Sequence, residues 1–213
     1  MVSAQRVVEY IEMQVESALL SPPYKTPHKL DSWAPNEGAL ELHDVKMRYA
    51  PDLPLVLDGV SLKVEAGTKV GVVGRTGAGK SSLVLAVFRM MELDAGTITI
   101  DGVDVATMPA RALRGALGMI PQDTFVWSGT VRENLDVTGQ KTDAEIWAAL
   151  EQVSLKQNVE ELDGRLDHEI HEKGSNLSTG TVQLICLARV LLKQPKVIFM
   201  DEVRACSSFA MAA

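Results

Sequence analysis

The sequence predicts an α/β fold built on a mostly parallel core sheet, and three observations carry that prediction. Residues 74–81 read Gly-Arg-Thr-Gly-Ala-Gly-Lys-Ser, which fits the phosphate-binding pattern G-x-x-x-x-G-K-[ST] at every fixed position. The run Lys69 to Val73 before it is β-branched and reads as a buried strand, while Leu83, Val87, Met90 and Met91 follow at helical spacing. Val197-Ile198-Phe199-Met200 is fully apolar, the pattern of a central parallel strand, and the acidic pair Asp201-Glu202 follows it directly.

The remaining elements follow in chain order. Val2, Val7, Val8, Ile11, Val15, Ala18 and Leu19 recur at spacings of three and four, an amphipathic helix within residues 1–20 that must pack against something. Residues 21–38 hold Pro22, Pro23, Pro27 and Pro35 among polar neighbours and read as an extended linker. The compact domain, residues 39–213, opens with a strand carrying Leu40, Leu42 and Val45 that runs toward Tyr49. A second strand covers Val56 to Val64, with Asp58-Gly59 as a turn inside or before it. Thr97 to Ile100 followed by Asp101-Gly102 is a hairpin signal. Leu117 to Ile120 is a short strand, and residues 142–193 are largely helical with an interruption around 163–178.

Composition narrows the function classes. At 46% hydrophobic and 23% charged, the 213 residues suffice for one sizeable domain with appendages. A net charge of −7 without a Lys/Arg block argues against autonomous nucleic-acid binding. No apolar stretch approaches a membrane span, and residues 1–20, with Arg6, Glu9, Glu12 and Glu16, lack the apolar region of a signal peptide. Cys186 and Cys206 have no metal-ligand spacing and read as reduced core thiols.

The chemistry centres on the glycine loop. Gly74, Gly77 and Gly79 free the backbone for conformations closed to residues with a Cβ, so that successive N–H groups converge on anionic oxygens. Arg75, Thr76, Ala78 and Ser82 complete the loop, and the helix behind it adds its positive dipole end. Lys80 is expected to reach the β- and γ-phosphates of a nucleotide and the Ser81 hydroxyl to ligate Mg²⁺. Asp201 lies at the C-terminal end of a buried strand, where open α/β sheets bind ligands, and would help hold the same Mg²⁺. Glu202, one residue on, would orient the attacking water. Read alone, this acidic pair is equally a solvated turn.

At this point a resemblance becomes specific. Leu177-Ser178-Thr179-Gly180 looks like the signature loop of ATP-binding cassette (ABC) proteins, and Glu172-Lys173-Gly174-Ser175-Asn176 resembles the segment that precedes it in exporters. Arg6 to Tyr10, Val72 to Leu83 and Trp127 to Leu135 resemble the second nucleotide-binding domain of the C-subfamily, the multidrug resistance-associated type. The resemblance covers residues 1–202. It implies an ABC ATPase fold with an N-terminal antiparallel β subdomain, a parallel core and a helical signature subdomain at about 130–193. It implies that Tyr49 stacks on adenine and that Gln122, the Q-loop glutamine, touches Mg²⁺ or the lytic water. Ser178 and Gly180 would bind the nucleotide held by a partner domain. ATP and Mg²⁺ are the implied cofactors. Transmembrane domains and a second nucleotide-binding domain are the implied partners, at the cytosolic face of a membrane. Residues 1–20 would continue an absent membrane helix.

The chain also departs from the pattern. Thr181 stands where Gln is usual after the signature glycine. The match decays after Glu202: Ser208 occupies about the place of an aspartate that crosses to the partner, and none of His28, His43, His168 and His171 follows the acidic strand to serve as the γ-phosphate histidine. A C-terminally truncated domain is therefore expected. Three readings compete: an ATPase half-site of an exporter, a nucleotide-binding module without turnover, and a soluble ABC ATPase, against which the acidic balance and the leading helix argue.

Overall fold

A computed structural model describes residues 33–201, which form two compact units, residues 33–116 and 117–201. The helix expected in residues 1–20, most of the Pro-rich linker, and Glu202, Cys206 and Ser208 lie outside the described residues.

The first unit is built on a four-stranded antiparallel sheet of order β2-β1-β3-β4, comprising β1 (Leu40–Met47), β2 (Leu57–Val64), β3 (Ala95–Ile100) and β4 (Val103–Asp104). Leu42 faces Leu62 on one side and Ile98 on the other. The buried positions of β1 are Leu40, Leu42, Val45 and Met47, so the alternation skips a step. A bulge supplies that step: the register shifts between Leu42 and Val45, and Asp44 takes φ +47°. A Cβ on Gly96 would run into the main chain of His43 and Asp44, so the strand facing the bulge needs a glycine there. Asp58-Gly59 makes no chain-reversing turn. It lies inside β2, with Gly59 at φ +74° between the paired positions Leu57 and Val60. Asp101-Gly102 is the expected hairpin turn, with φ +50° and +76°. The Asp101 carboxylate also accepts the backbone N–H groups of Asn36, Glu37, Gly38 and Ala39 at 2.7–3.2 Å, tying down the end of the expected linker.

The strand expected at Lys69–Val73 is not formed. Among the described residues nothing pairs with it, and Val70, Val72 and Val73 are 51%, 52% and 96% exposed. β-propensity describes a side chain's fit to a paired, half-buried surface, and without a neighbouring strand these residues have no such surface to fit. The helix after the glycine loop, α1 (Lys80–Val87), is also shorter than the apolar spacing implies. Arg89 turns to φ +48°, and Met90 is exposed. The guanidinium of Arg114, on α2 (Ala110–Ala116), donates to the carbonyls of Phe88 and Arg89 and closes the helix end.

In the second unit β5 (Leu117–Ile120) and β8 (Val197–Met200) form a parallel pair in register Leu117 to Val197 through Ile120 to Met200. β8 is parallel as expected but not central: β5 is its one partner among the described residues, and Met200 is 47% exposed. A strand is central only when both edges are laddered, which an apolar run cannot dictate by itself. β6 (Gly129–Thr130) and β7 (Glu169–Ile170) make a short antiparallel pair. The helices are α3 (Val131–Leu135), α4 (Asp143–Gln152), α5 (Lys156–Glu160) and α6 (Thr179–Lys193). Thr130 with Glu133 and Thr142 with Glu145 form capping boxes that start α3 and α4. The Thr142 backbone N–H, with Lys141 and the Thr142 hydroxyl, holds the Glu145 carboxyl down to about 2. Ile146, Leu150, Ile185 and Ala188 form a core with Val131, Leu135 and Ile170. Cys186 is a buried free thiol, and its pKa is pushed up by burial.

Candidate functional site

The glycine loop occupies the turn into α1. Gly79 is the N-cap of the helix at φ +87°, and Gly77 lies at φ +81°. Both conformations are costly for a residue with a Cβ. Gly79 is also hemmed in, since a Cβ there would lie 3.0 Å from the Val56 carbonyl oxygen. Gly74 departs from the expectation: its φ is not in the left-handed region, and a Cβ would meet Ala78 Cβ at 3.3 Å. Its requirement is close approach rather than backbone freedom. No side-chain hydrogen bond caps the start of α1, whose positive dipole end faces the glycine loop.

Lys80 Nζ donates to the Gly74 carbonyl at 2.7 Å and the Arg75 carbonyl at 3.0 Å. The ammonium thus folds over the loop that an anion would enter. Ser82 is buried in the same helical turn. Tyr49, just beyond β1, is 44% exposed, and its Oη shares a 2.7 Å hydrogen bond with Ser82 Oγ. Arg48 beside it donates from Nε to Asp94 Oδ1 at 2.8 Å and from Nη1 to the Pro51 and Leu53 carbonyls. The first unit therefore brings Tyr49, residues 74–79, Lys80, Ser81 and Ser82 together.

The second unit carries Gln122 and Asp201 at one strand end and, separately, Ser178 and Gly180 at a helix start. The Asp201 backbone N–H donates to the Ile120 carbonyl at 3.0 Å, so Asp201 and Gln122 leave the parallel pair at the same, C-terminal, end. Ser178 is the N-cap of α6: its Oγ accepts the Thr181 N–H at 3.1 Å and lies 2.9 Å from Thr181 Oγ1. Gly180 sits in the first turn of α6, where a Cβ would come no nearer than 3.8 Å to another group. Ser81, Gln122 and Asp201 offer a hydroxyl, an amide oxygen and a carboxylate. Each is an oxygen donor, the type that suits a hard cation such as Mg²⁺.

A group that the sequence does not single out holds the segment carrying Gln122. Asn134 is fully buried; its Oδ1 accepts the Trp127 N–H, and its Nδ2 donates to the Trp127 and Thr130 carbonyls, each at 3.0 Å. Arg189, on α6, lies 4.5 Å from the Trp127 ring centroid and 5.6 Å from that of Phe125, and donates from Nε to the Asn134 carbonyl at 2.7 Å. This ties the segment after Gln122 to the helix that Ser178 starts. The partners are 55 to 64 residues apart for Arg189, so spacing along the chain holds no trace of them.

Residues 57–205 match the family described as ABC transporter. The ATP-binding cassette sub-family C member 10 of Mus musculus is 46% identical over 206 residues, covering 96% of this chain and 14% of that protein. The ABC transporter C family member 9 of Arabidopsis thaliana is 42% identical over 205 residues, covering 96% of this chain and 13% of that protein. The solved structure of a bacterial Atm1-family ABC exporter with ATP bound matches 97% of this chain and 35% of its own, with a TM-score of 0.82 and 29% identity. The chain thus spans about one seventh of the length of the curated relatives it matches. No helix among its described residues is long and apolar enough to cross a membrane. On the family match over residues 57–205, the chain belongs to the ABC transporter family and carries its ATP-binding domain.

Proposed function

We propose that the chain is the ATP-binding and ATP-hydrolysing module of a C-subfamily exporter, coupling hydrolysis to export through transmembrane domains of a longer protein. The observation that carries this is the glycine loop. Gly77 and Gly79 are in the left-handed region, and Lys80 lies over an uncapped helix start. Lys80 would exchange its two carbonyl partners for the β- and γ-phosphates, and the N–H groups of the first turn would take the remaining oxygens. Gln122 and Asp201, with Ser81, would hold Mg²⁺, whose chemistry is neutralisation of the charge spread over the phosphates. Glu202 would address the water. Tyr49 offers a flat face to adenine. Ser178 and Gly180 would present the start of α6 to a nucleotide on a second nucleotide-binding domain. The transporter would place the module on the cytosolic face of a membrane, with no role in nucleic-acid binding.

One observation favours the second reading, nucleotide binding without appreciable turnover. Thr181 stands in place of the expected Gln after the signature glycine and engages the Ser178 hydroxyl through both its N–H and its Oγ1, so a nucleotide on a partner domain meets a serine already bonded within its own helix. Titration of ATP with and without Mg²⁺, alongside Lys80→Ala and a phosphate-release assay, separates the readings. Binding and phosphate release that both need Lys80 support the ATPase. Binding that needs Lys80 without release supports the second reading. Binding that ignores Lys80→Ala refutes both.

A further inference from the structure

We infer that the Tyr49–Ser82 hydrogen bond couples the base subsite to the phosphate subsite, making Ser82 a positioning residue for the nucleotide base; this rests on the nucleotide-binding reading above. The ring that would face a base and the turn that would face phosphates are joined by one contact, Tyr49 Oη to Ser82 Oγ at 2.7 Å. The two ends differ in burial. Ser82 is fixed inside the first turn of α1, whereas Tyr49 as a residue is 44% exposed and so keeps open surface for a ligand. The backbone beside Tyr49 is also pinned, by Arg48 on Asp94 and on the Pro51 and Leu53 carbonyls. With the preceding residue and the ring's far end both held, the remaining ring freedom is small before any ligand arrives. Ordering that is already complete does not have to be supplied by the ligand.

The hydroxyl chemistry gives the coupling its sign. A serine hydroxyl has one proton to donate and two lone pairs. Either hydroxyl can be the donor of this bond, but a phosphate oxygen accepting the Ser82 proton at the same helical turn selects the arrangement in which Tyr49 donates to Ser82. An anion accepting that proton polarises Ser82 Oγ and makes it a better acceptor for Tyr49. Phosphate binding therefore tightens the hold on the ring, and a base held by the ring favours the phosphates in return, as linkage requires.

The test is titration calorimetry of the full chain with ATP and with inorganic tripolyphosphate, both with Mg²⁺, for wild type, Tyr49→Phe, Ser82→Ala and the double variant. Tyr49→Phe keeps the ring and removes the bond. The expected result is an ATP affinity weakened roughly three- to tenfold, with a clearly smaller loss for tripolyphosphate. The double variant should lose ATP affinity by less than the product of the two single losses. Equal losses for both ligands in Tyr49→Phe, or multiplicative losses in the cycle, would overturn the coupling while leaving nucleotide binding intact. If Ser82→Ala does not fold, the ATP-to-tripolyphosphate ratio in Tyr49→Phe alone decides. Wild type that binds tripolyphosphate and ATP equally would refute the base subsite itself, and wild type that binds neither would refute the nucleotide-binding reading.

Discussion

Gly79→Ala and Gly77→Ala probe the loop in different amounts, and the difference can be worked from the structure. Both glycines sit at positive φ, +87° and +81°, so alanine at either position pays the left-handed cost of about 1–2 kcal/mol. At Gly77 that is the whole cost, because an added Cβ has nothing within 4 Å. At Gly79 the Cβ would also press on the Val56 carbonyl oxygen at 3.0 Å and on Leu57 Cδ2 at 3.3 Å. Val56 cannot easily yield, because its N–H is bonded to the Met47 carbonyl at 2.8 Å beside β2. A further cost of about 1 kcal/mol is expected there. Gly77→Ala should therefore weaken ATP binding about tenfold, and Gly79→Ala by about a further fivefold with a lower melting temperature. Fluorescent-nucleotide titration and thermal melting of both variants are the assays. Equal effects, or a milder one at Gly79, would refute the reasoning, because the two sites differ in crowding and hardly at all in φ.

Two further variants test the scaffold. Partial burial pushes the Asp101 carboxyl up, but the N–H groups of Glu37, Gly38, Ala39 and Asn36 outweigh it and hold the pKa below the usual carboxylate range. A depressed folded-state pKa contributes stability above the unfolded value, about 3.9, and loses it as pH falls through the folded one. The melting temperature of wild type should fall as pH drops below about 4. Asp101→Asn should melt lower at neutral pH and lose part of that acid sensitivity, and an unchanged acid profile would exclude Asp101 as its source. Asn134→Leu should cost about 1–3 kcal/mol in urea unfolding, because it removes the side chain that bonds the part-buried Trp127 N–H and the Trp127 and Thr130 carbonyls. A loss below about 0.5 kcal/mol would show that the segment after Gln122 is held by other means.

How far the sequence could be read depends on how local each determinant is. The hairpin at Asp101-Gly102 was legible because two adjacent residues with positive φ select a turn without help from the rest of the chain. The Ser178 cap is just as local: its donor lies three residues away on the same helix. Asp58-Gly59 lies inside β2, one of its two expected places, but as a bulge and not a turn: the same dipeptide signal serves either, and only the facing strand decides between them. The skipped step from Leu42 to Val45 makes sense once Asp44 is seen at positive φ opposite Gly96.

By itself the sequence determined the family, the glycine loop with Lys80, the start of α6 and the acidic strand end. Each is written in residues close along the chain, where covalent geometry limits the alternatives to a few. Tertiary structure alone decided that, among the described residues, Lys69–Val73 stays unpaired and β8 is flanked on one side, that Tyr49 is tied to Ser82, and that Arg189 and Asn134 hold the segment after Gln122. These depend on partners up to 80 residues away, as in the pairing of Leu117 with Val197, and a ladder or a hydrogen bond exists only when both partners arrive.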